Sequence, residues 1–260
     1  MKSLFLICLF FVSGTVWARH FVLVAGLNNE QVSAYFVSFE NYLKSHGHVH
    51  ITKISPSSLN TIAENKSYLR RKFLEAFELH QEPLTIFAHS KGALETAHTL
   101  ATYPQDFPAG IVERAVYANA PFQGSPYMPE SIRKFEEQWG HFGNQYNPVY
   151  LNALRVMKSL LTENILSLKL TEDSLSARTY YARTVQDARK VSVILKDSAE
   201  FLKNYGPNDG LIPVNNQMMK DFGNDAGIFN NIDHTDFFVR KWALDSPTSK
   251  VMDEIFFIID

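Results

Sequence analysis

Three residues of this chain have the chemistry of an activated nucleophile: Ser90, Asp209 and His234. A hydroxyl attacks only when a base stands within hydrogen-bond reach, and the base keeps one tautomer only when a carboxylate holds its other nitrogen. Ser90 lies in Leu84-Thr85-Ile86-Phe87-Ala88-His89-Ser90-Lys91-Gly92-Ala93-Leu94-Glu95, an apolar run opened by Pro83 that breaks into small and polar residues. Helical spacing follows. The pattern predicts a buried strand, a one-residue turn and a helix, with the serine at the apex. Such a turn lifts the hydroxyl clear of the backbone and sets the free N–H groups of the helix start beside it, where negative charge can develop. Strand and helix backbones approach closely there, so the positions two before and two after the serine must be small; they are Ala88 and Gly92.

The base and the acid belong on loops that leave the C-terminal ends of strands, where open α/β sheets bind ligands. Asp209 sits in the turn-rich Asn204-Tyr205-Gly206-Pro207-Asn208-Asp209-Gly210 stretch, directly before Leu211-Ile212-Pro213. His234 follows the last expected strand, within Asn231-Ile232-Asp233-His234-Thr235-Asp236-Phe237-Phe238. The chain order serine, acid, histidine suits this architecture. Asp233 and Asp236 remain alternates for the acid, although their nearness to the histidine makes the geometry awkward. Other histidines fit less well. His98 lies about two turns along the helix after Ser90, and His80 and His141 have no strand end nearby. His89 is expected to point away from Ser90 along the turn. His46, His48 and His50 cluster near the second strand without a carboxylate or cysteine to complete a metal site. No metal and no cofactor are expected.

The elements that must hold these residues can be read in order. His20–Ala25, His48–Ile54, Leu84–His89 and Val112–Asn119 read as strands, and so do Lys190–Lys196 and Gly227–Ile232. Glu30–Ser45, Ser57–His80 and Ser90–Ala101 read as helices. This alternation predicts an α/β fold: a mostly parallel, doubly wound sheet of about six strands. From about Met128 to Asp187 the rhythm changes to successive helices, Ser131–Trp139, Val149–Leu161 and Ala177–Ala188. A cap insertion over residues 128–188, above the C-terminal edge of the sheet, is expected; helices merely padding the sheet are the alternative. Ser249–Ile259 reads as a final helix.

The chain opens with Lys2, an apolar run over Leu4–Val12 and the small residues Val16 and Ala18, the pattern of a secretory signal peptide. Cleavage after Ala18 is expected, leaving one domain over 19–260 that is exported to the periplasm or beyond. The single cysteine, Cys8, lies in the removed segment, so stability must come from the core. A net charge of −2 with dispersed basic residues gives no footprint for nucleic acid.

Five stretches in this order carry a resemblance: Ala25-Gly26-Leu27, Ala88-His89-Ser90-Lys91-Gly92, Ala120-Pro121-Phe122-Gln123-Gly124-Ser125-Pro126, Asn208-Asp209-Gly210-Leu211-Ile212-Pro213 and Asp233-His234-Thr235-Asp236. From about Phe21 to Phe238 the chain resembles the bacterial lipases and esterases of the α/β-hydrolase fold. The resemblance implies hydrolysis of acyl esters through a serine acyl-enzyme, with the oxyanion held by the backbone N–H groups of Leu27 and Lys91; a thioesterase, acyltransferase or amidase on the same three residues, and a non-catalytic binding protein on the same scaffold, are the alternatives. It implies a small-molecule or lipid ester as substrate, transient contact of the cap with a lipid interface, and a monomer. Four positions depart from the family pattern: Ala25 before the oxyanion glycine, Phe122 and Gln123 where His-Lys or His-Arg is usual, and Ala88 where glycine is usual. Some relatives hold calcium with an acid two residues past the histidine. Asp236 has that place, but Arg240 stands where a neutral ligand is wanted, so no essential calcium is expected.

Overall fold

The computed structural model describes residues 19–31, 35–140, 147–162, 173–237, 250 and 253–254. Six strands form one sheet: β1 (His20–Val24), β2 (Ile51–Ile54), β3 (Leu84–His89), β4 (Val112–Ala118), β5 (Thr179–Val185) and β6 (Asn224–Asn230). Their order is β2-β1-β3-β4-β5-β6 and every neighbouring pair is parallel. The central strands β1 and β3 are buried along their whole length, which is why both read as near-continuous apolar runs. Side chains alternate between two cores. Val22, Val24, Ile86 and Ala88 pack with Ile62, Leu69 and Phe73 of α2 (Ile62–His80) and Leu94 and Ala97 of α3 (Lys91–Thr102). Phe21, Leu23, Phe87 and Val116 face the other way, onto Phe39 and Leu43 of α1 (Val37–Ser45). Helices on both faces of a parallel sheet make the fold doubly wound.

Local chemistry sets the helix limits. The Thr61 side chain accepts the Glu64 N–H while the Glu64 carboxylate takes the Thr61 N–H, a reciprocal cap that starts α2 at Ile62. The helix therefore begins five residues after the expected Ser57, and it runs unbroken past Asn65. α1 likewise begins at Val37 rather than Glu30, after a short 3-10 turn over Asn29–Gln31. Residues 32–34 between them lie outside the described residues.

Past β4 come α4 (Met128–Gly140), α5 (Pro148–Thr162) and α6 (Asp173–Ala177). Phe135 of α4 stacks on Tyr150 of α5 at 5.3 Å. Two expectations are corrected here. Ala177–Ala188 is not a helix; Thr179–Val185 is β5, and the helical run ends at Ala177, short of the expected 188. Residues Thr179, Tyr181 and Ala182 of β5 are buried between β4 and β6, a setting that suits its aromatic and β-branched residues. Lys190–Lys196 is not a strand. It forms turns and a 3-10 segment (Val193–Leu195) leading into α7 (Lys196–Leu202). Its β-branched residues have no strand to pair with, because β6 already flanks β5. Val191 and Leu195 instead pack on Ala199, leaving Val193 and Ile194 76% and 72% exposed.

The expected signal peptide, His141, Arg240 and most of the expected Ser249–Ile259 helix lie outside the described residues. Among the described residues, no helix is long and apolar enough to cross a membrane.

Candidate active site

Ser90 follows β3 and caps α3 with φ 55° and ψ −127°, a backbone conformation that non-glycine residues seldom adopt. The surroundings hold it there. Its N–H donates to Ala118 O at 3.0 Å, and its carbonyl receives the Ala93 N–H at 3.0 Å. The close approach is real at Gly92, where a Cβ would collide with the Ala25 carbonyl oxygen. At Gly26 a Cβ would meet both Ser90 Cβ and Tyr35 Oη at 2.9 Å. The two glycines let the loop after β1 lie against the serine turn.

The structure brings Ser90, His234 and Asp209 together. Ser90 Oγ is 2.9 Å from His234 Nε2, and His234 Nδ1 is 2.9 Å from Asp209 Oδ2. A carboxylate can only accept, so Nδ1 carries the proton and Nε2 is free to take one from Ser90. Asp209 is fully buried. Its Oδ1 receives the N–H groups of Leu211 and Ile212 at 2.8 and 2.7 Å, and its Oδ2 also receives Asn119 Nδ2 at 2.8 Å. The Asp209 carbonyl accepts the His234 N–H at 2.8 Å, so the two residues are joined through backbone as well as side chain. Their loops follow β5 and β6, both at the C-terminal edge where β3 ends.

The two alternate acids have other partners. Asp233 Oδ2 receives Ser192 N–H and Oγ–H at 2.7 and 2.8 Å, and its Oδ1 receives Thr235 N–H at 2.8 Å. Asp236 Oδ2 accepts the Asp233 N–H at 2.8 Å. Both brace the loop around His234 rather than its ring.

Lys91 follows Ser90 directly, and Leu27 follows Gly26, whose Cα lies against the Ser90 side chain. Lys91 begins α3, so its N–H has no intrahelical acceptor. In the loop after β1, Ala25 N–H donates to Ile54 O, Gly26 N–H to Tyr35 Oη and Asn28 N–H to Ser58 Oγ, with Leu27 N–H left over among the described residues. The Lys91 side chain turns inward to a buried ion pair with Glu95, which also receives Asn65 Nδ2 at 2.7 Å. Burial pushes the Glu95 carboxyl up to about 7, against the opposing pull of the Lys91 ammonium. Asn65 donates in turn to Ser57 O, which ties α3 to the loop after β2, and Asn29 donates to Pro56 O, which ties that loop to the one after β1.

A cavity of about 260 Å³ opens between α5 and the loop after β4, lined in part by Leu94, Met128, Leu160 and Leu161. Leu94 is one helical turn beyond Ser90. His98 is buried on α3. His50 does have a carboxylate partner, Glu82 at 2.7 Å, and stacks on His80 at 3.9 Å; the expectation that none accompanies it is corrected. No cluster of three or more metal-ligating side chains occurs among the described residues.

Sequence reasoning missed Asn119, Tyr35 and His89 as members of the site. Asn119 stood out only as a polar residue at the end of a buried strand, with nothing in the sequence to join it to Asp209. Tyr35 carried no signal, since its role depends on a loop fold.

No family model matches the sequence, and no curated protein does. Solved structures are similar in fold. The metagenomic carboxyl esterase MGS0156 matches with a TM-score of 0.71 at 18% identity, over 94% of this chain and 76% of that one. The mature form of the Bacillus licheniformis lipase BlEst2 matches with a TM-score of 0.64 at 15% identity, over 93% and 91%. Lipase 1 from Pelosinus fermentans matches with a TM-score of 0.54 at 12% identity, over 92% and 98%.

Proposed function

Starting from a chain with the α/β-hydrolase fold, we propose a serine hydrolase that cleaves carboxylic esters through an acyl-enzyme. Ser90 is the nucleophile, His234 the general base and Asp209 the acid that orients it. His234 Nε2 takes the Ser90 proton as Oγ attacks the ester carbonyl. Asp209 holds the imidazole in the Nδ1–H tautomer and stabilises the cation that forms. The N–H groups of Leu27 and Lys91 hold the oxyanion, each contributing about 3 kcal/mol to lowering the barrier. His234 then protonates the departing alcohol, and water repeats the sequence on the acyl-enzyme. No metal or cofactor takes part.

The observation that carries this reading is the unbroken line from Asp209 Oδ2 through the His234 ring to Ser90 Oγ, with both gaps at 2.9 Å. A lipid-type acyl group is part of this reading; the cavity beside Leu94 offers it Met128, Leu160 and Leu161, although Ser90 and His234 do not line that cavity and Gln123, Ser125 and Asn216 do. Export after cleavage near Ala18 belongs to the same reading and would place the enzyme where lipid esters are met.

Ser90→Ala should lower esterase turnover at least ~10³-fold, and a fluorophosphonate probe should label the native enzyme but neither the variant nor heated protein. A variant with native turnover would end the proposal. Comparing p-nitrophenyl esters of rising chain length with thioester and amide substrates identifies the acyl class.

A further inference from the structure

The loop proposed to hold the oxyanion and the loop that carries the base are joined beneath the site by three consecutive hydrogen bonds. Gly26 N–H reaches Tyr35 Oη at 2.8 Å, Tyr35 Oη lies 2.7 Å from His89 Nδ1, and His89 Nε2 lies 3.0 Å from His234 O. His89 is fully buried and Tyr35 nearly so. Only one arrangement of protons serves all three. A carbonyl accepts, so His89 Nε2 carries hydrogen and Nδ1 must accept. Tyr35 then donates its hydroxyl proton to Nδ1, and its oxygen lone pair receives the Gly26 N–H. A charged His89 would aim a second N–H at a tyrosine oxygen already facing one donor.

His89 lies on the β3 face covered by α1, with Phe87, and its ring is 5.0 Å from the His234 ring and 6.0 Å from Phe237. Its ends matter most. Gly26 precedes Leu27, and the accepting carbonyl belongs to His234 itself. We propose that Tyr35 and His89 are positioning residues that fix the spacing between the oxyanion loop and the catalytic base. This rests on the ester-hydrolase reading above. Burial and the nearby His234 hold His89 well below the usual imidazole range, so the ring stays neutral while His234 cycles.

Tyr35→Phe deletes one oxygen and His89→Phe deletes both ring nitrogens; neither touches substrate. Each should lower kcat by ~10- to 100-fold with KM changed less than about twofold, since misplacement of reacting groups acts on the chemical step. The double variant should lose about as much as the worse single one, because either change breaks the same chain. Native kcat in a folded single variant, a loss carried by KM, or additive losses would each overturn the inference. If the variants fail to fold, nitrogen-15 spectra of the native enzyme decide. An Nε2–H tautomer of His89 that does not titrate between about pH 5 and 9 supports it, and the opposite tautomer or a titration there overturns it. Native enzyme that fluorophosphonate does not label would instead refute the hydrolase reading, whatever the state of His89.

Discussion

Asp209 accepts four hydrogen bonds on two oxygens, from Leu211 N, Ile212 N, Asn119 Nδ2 and His234 Nδ1, at 2.7–2.9 Å. An amide cannot imitate it. In Asp209→Asn the NH2 group faces N–H donors in either flip. With its oxygen toward Leu211 and Ile212, the NH2 meets the His234 ring and forces the tautomer that has no lone pair for Ser90. We expect kcat to fall about 10⁴-fold with KM little changed, and stability to fall by about 1–3 kcal/mol from the unpaired buried donors. Steady-state kinetics and a thermal melt test both. Asp209 was legible from its turn-rich loop before an apolar segment. Asn119, which shares its Oδ2, was not, because its role comes from a bond between residues 90 positions apart.

At the level of elements, the crossing of α3 over the loop after β1 is the tightest contact in the site. Gly92→Ala would drive a methyl group into the Ala25 carbonyl oxygen, and backbone must move to admit it. We expect a loss of about 1–3 kcal/mol in stability together with a fall in kcat, because Ala25 leads directly into Gly26 and Leu27. Gly110→Ala, where an added Cβ meets nothing within 4 Å, is the control and should change neither. The central strands and α3 were legible from sequence because both faces of β1 and β3 are buried and the apolar pattern has no other use. β5 and the Lys190–Lys196 stretch were exchanged in that reading. Just before β5, Ser176, Ala177 and Arg178 continue a helical pattern into the strand, whereas Val191, Val193 and Ile194 look like a strand from composition alone. What decided the outcome was which segment met a free sheet edge, a tertiary fact that local propensity does not hold.

For the molecule as a whole, acid should be destabilising through buried neutral histidines. His20 bonds Thr52 Oγ1 at 2.8 Å and lies 4.9 Å from the His80 ring and 6.4 Å from that of His50. Burial, then the His80 charge, lowers it to about 4, with Glu82 opposing. Between about 6.5 and 4 only the unfolded chain takes up this proton, so stability is complete above pH 6.5 and falls as pH drops through the window. Glu95, raised to about 7, contributes in the opposite sense between about 4.5 and 7. The difference between native protein and His20→Phe isolates the histidine: the melting temperature of the variant should fall less steeply from pH 6.5 to 4, and parallel curves would refute the assignment.

Ser90 and His234 are 144 residues apart, yet their side chains meet. A ribosome adding ~5–20 residues per second makes the serine turn about 7–30 s before the histidine exists. During that interval the hydroxyl has no base, so a nascent chain carries an inert serine past whatever acyl groups surround it. On the proposed mechanism, activity would begin only when β6, the last of the six strands to be synthesised, docks against β5 and delivers the imidazole.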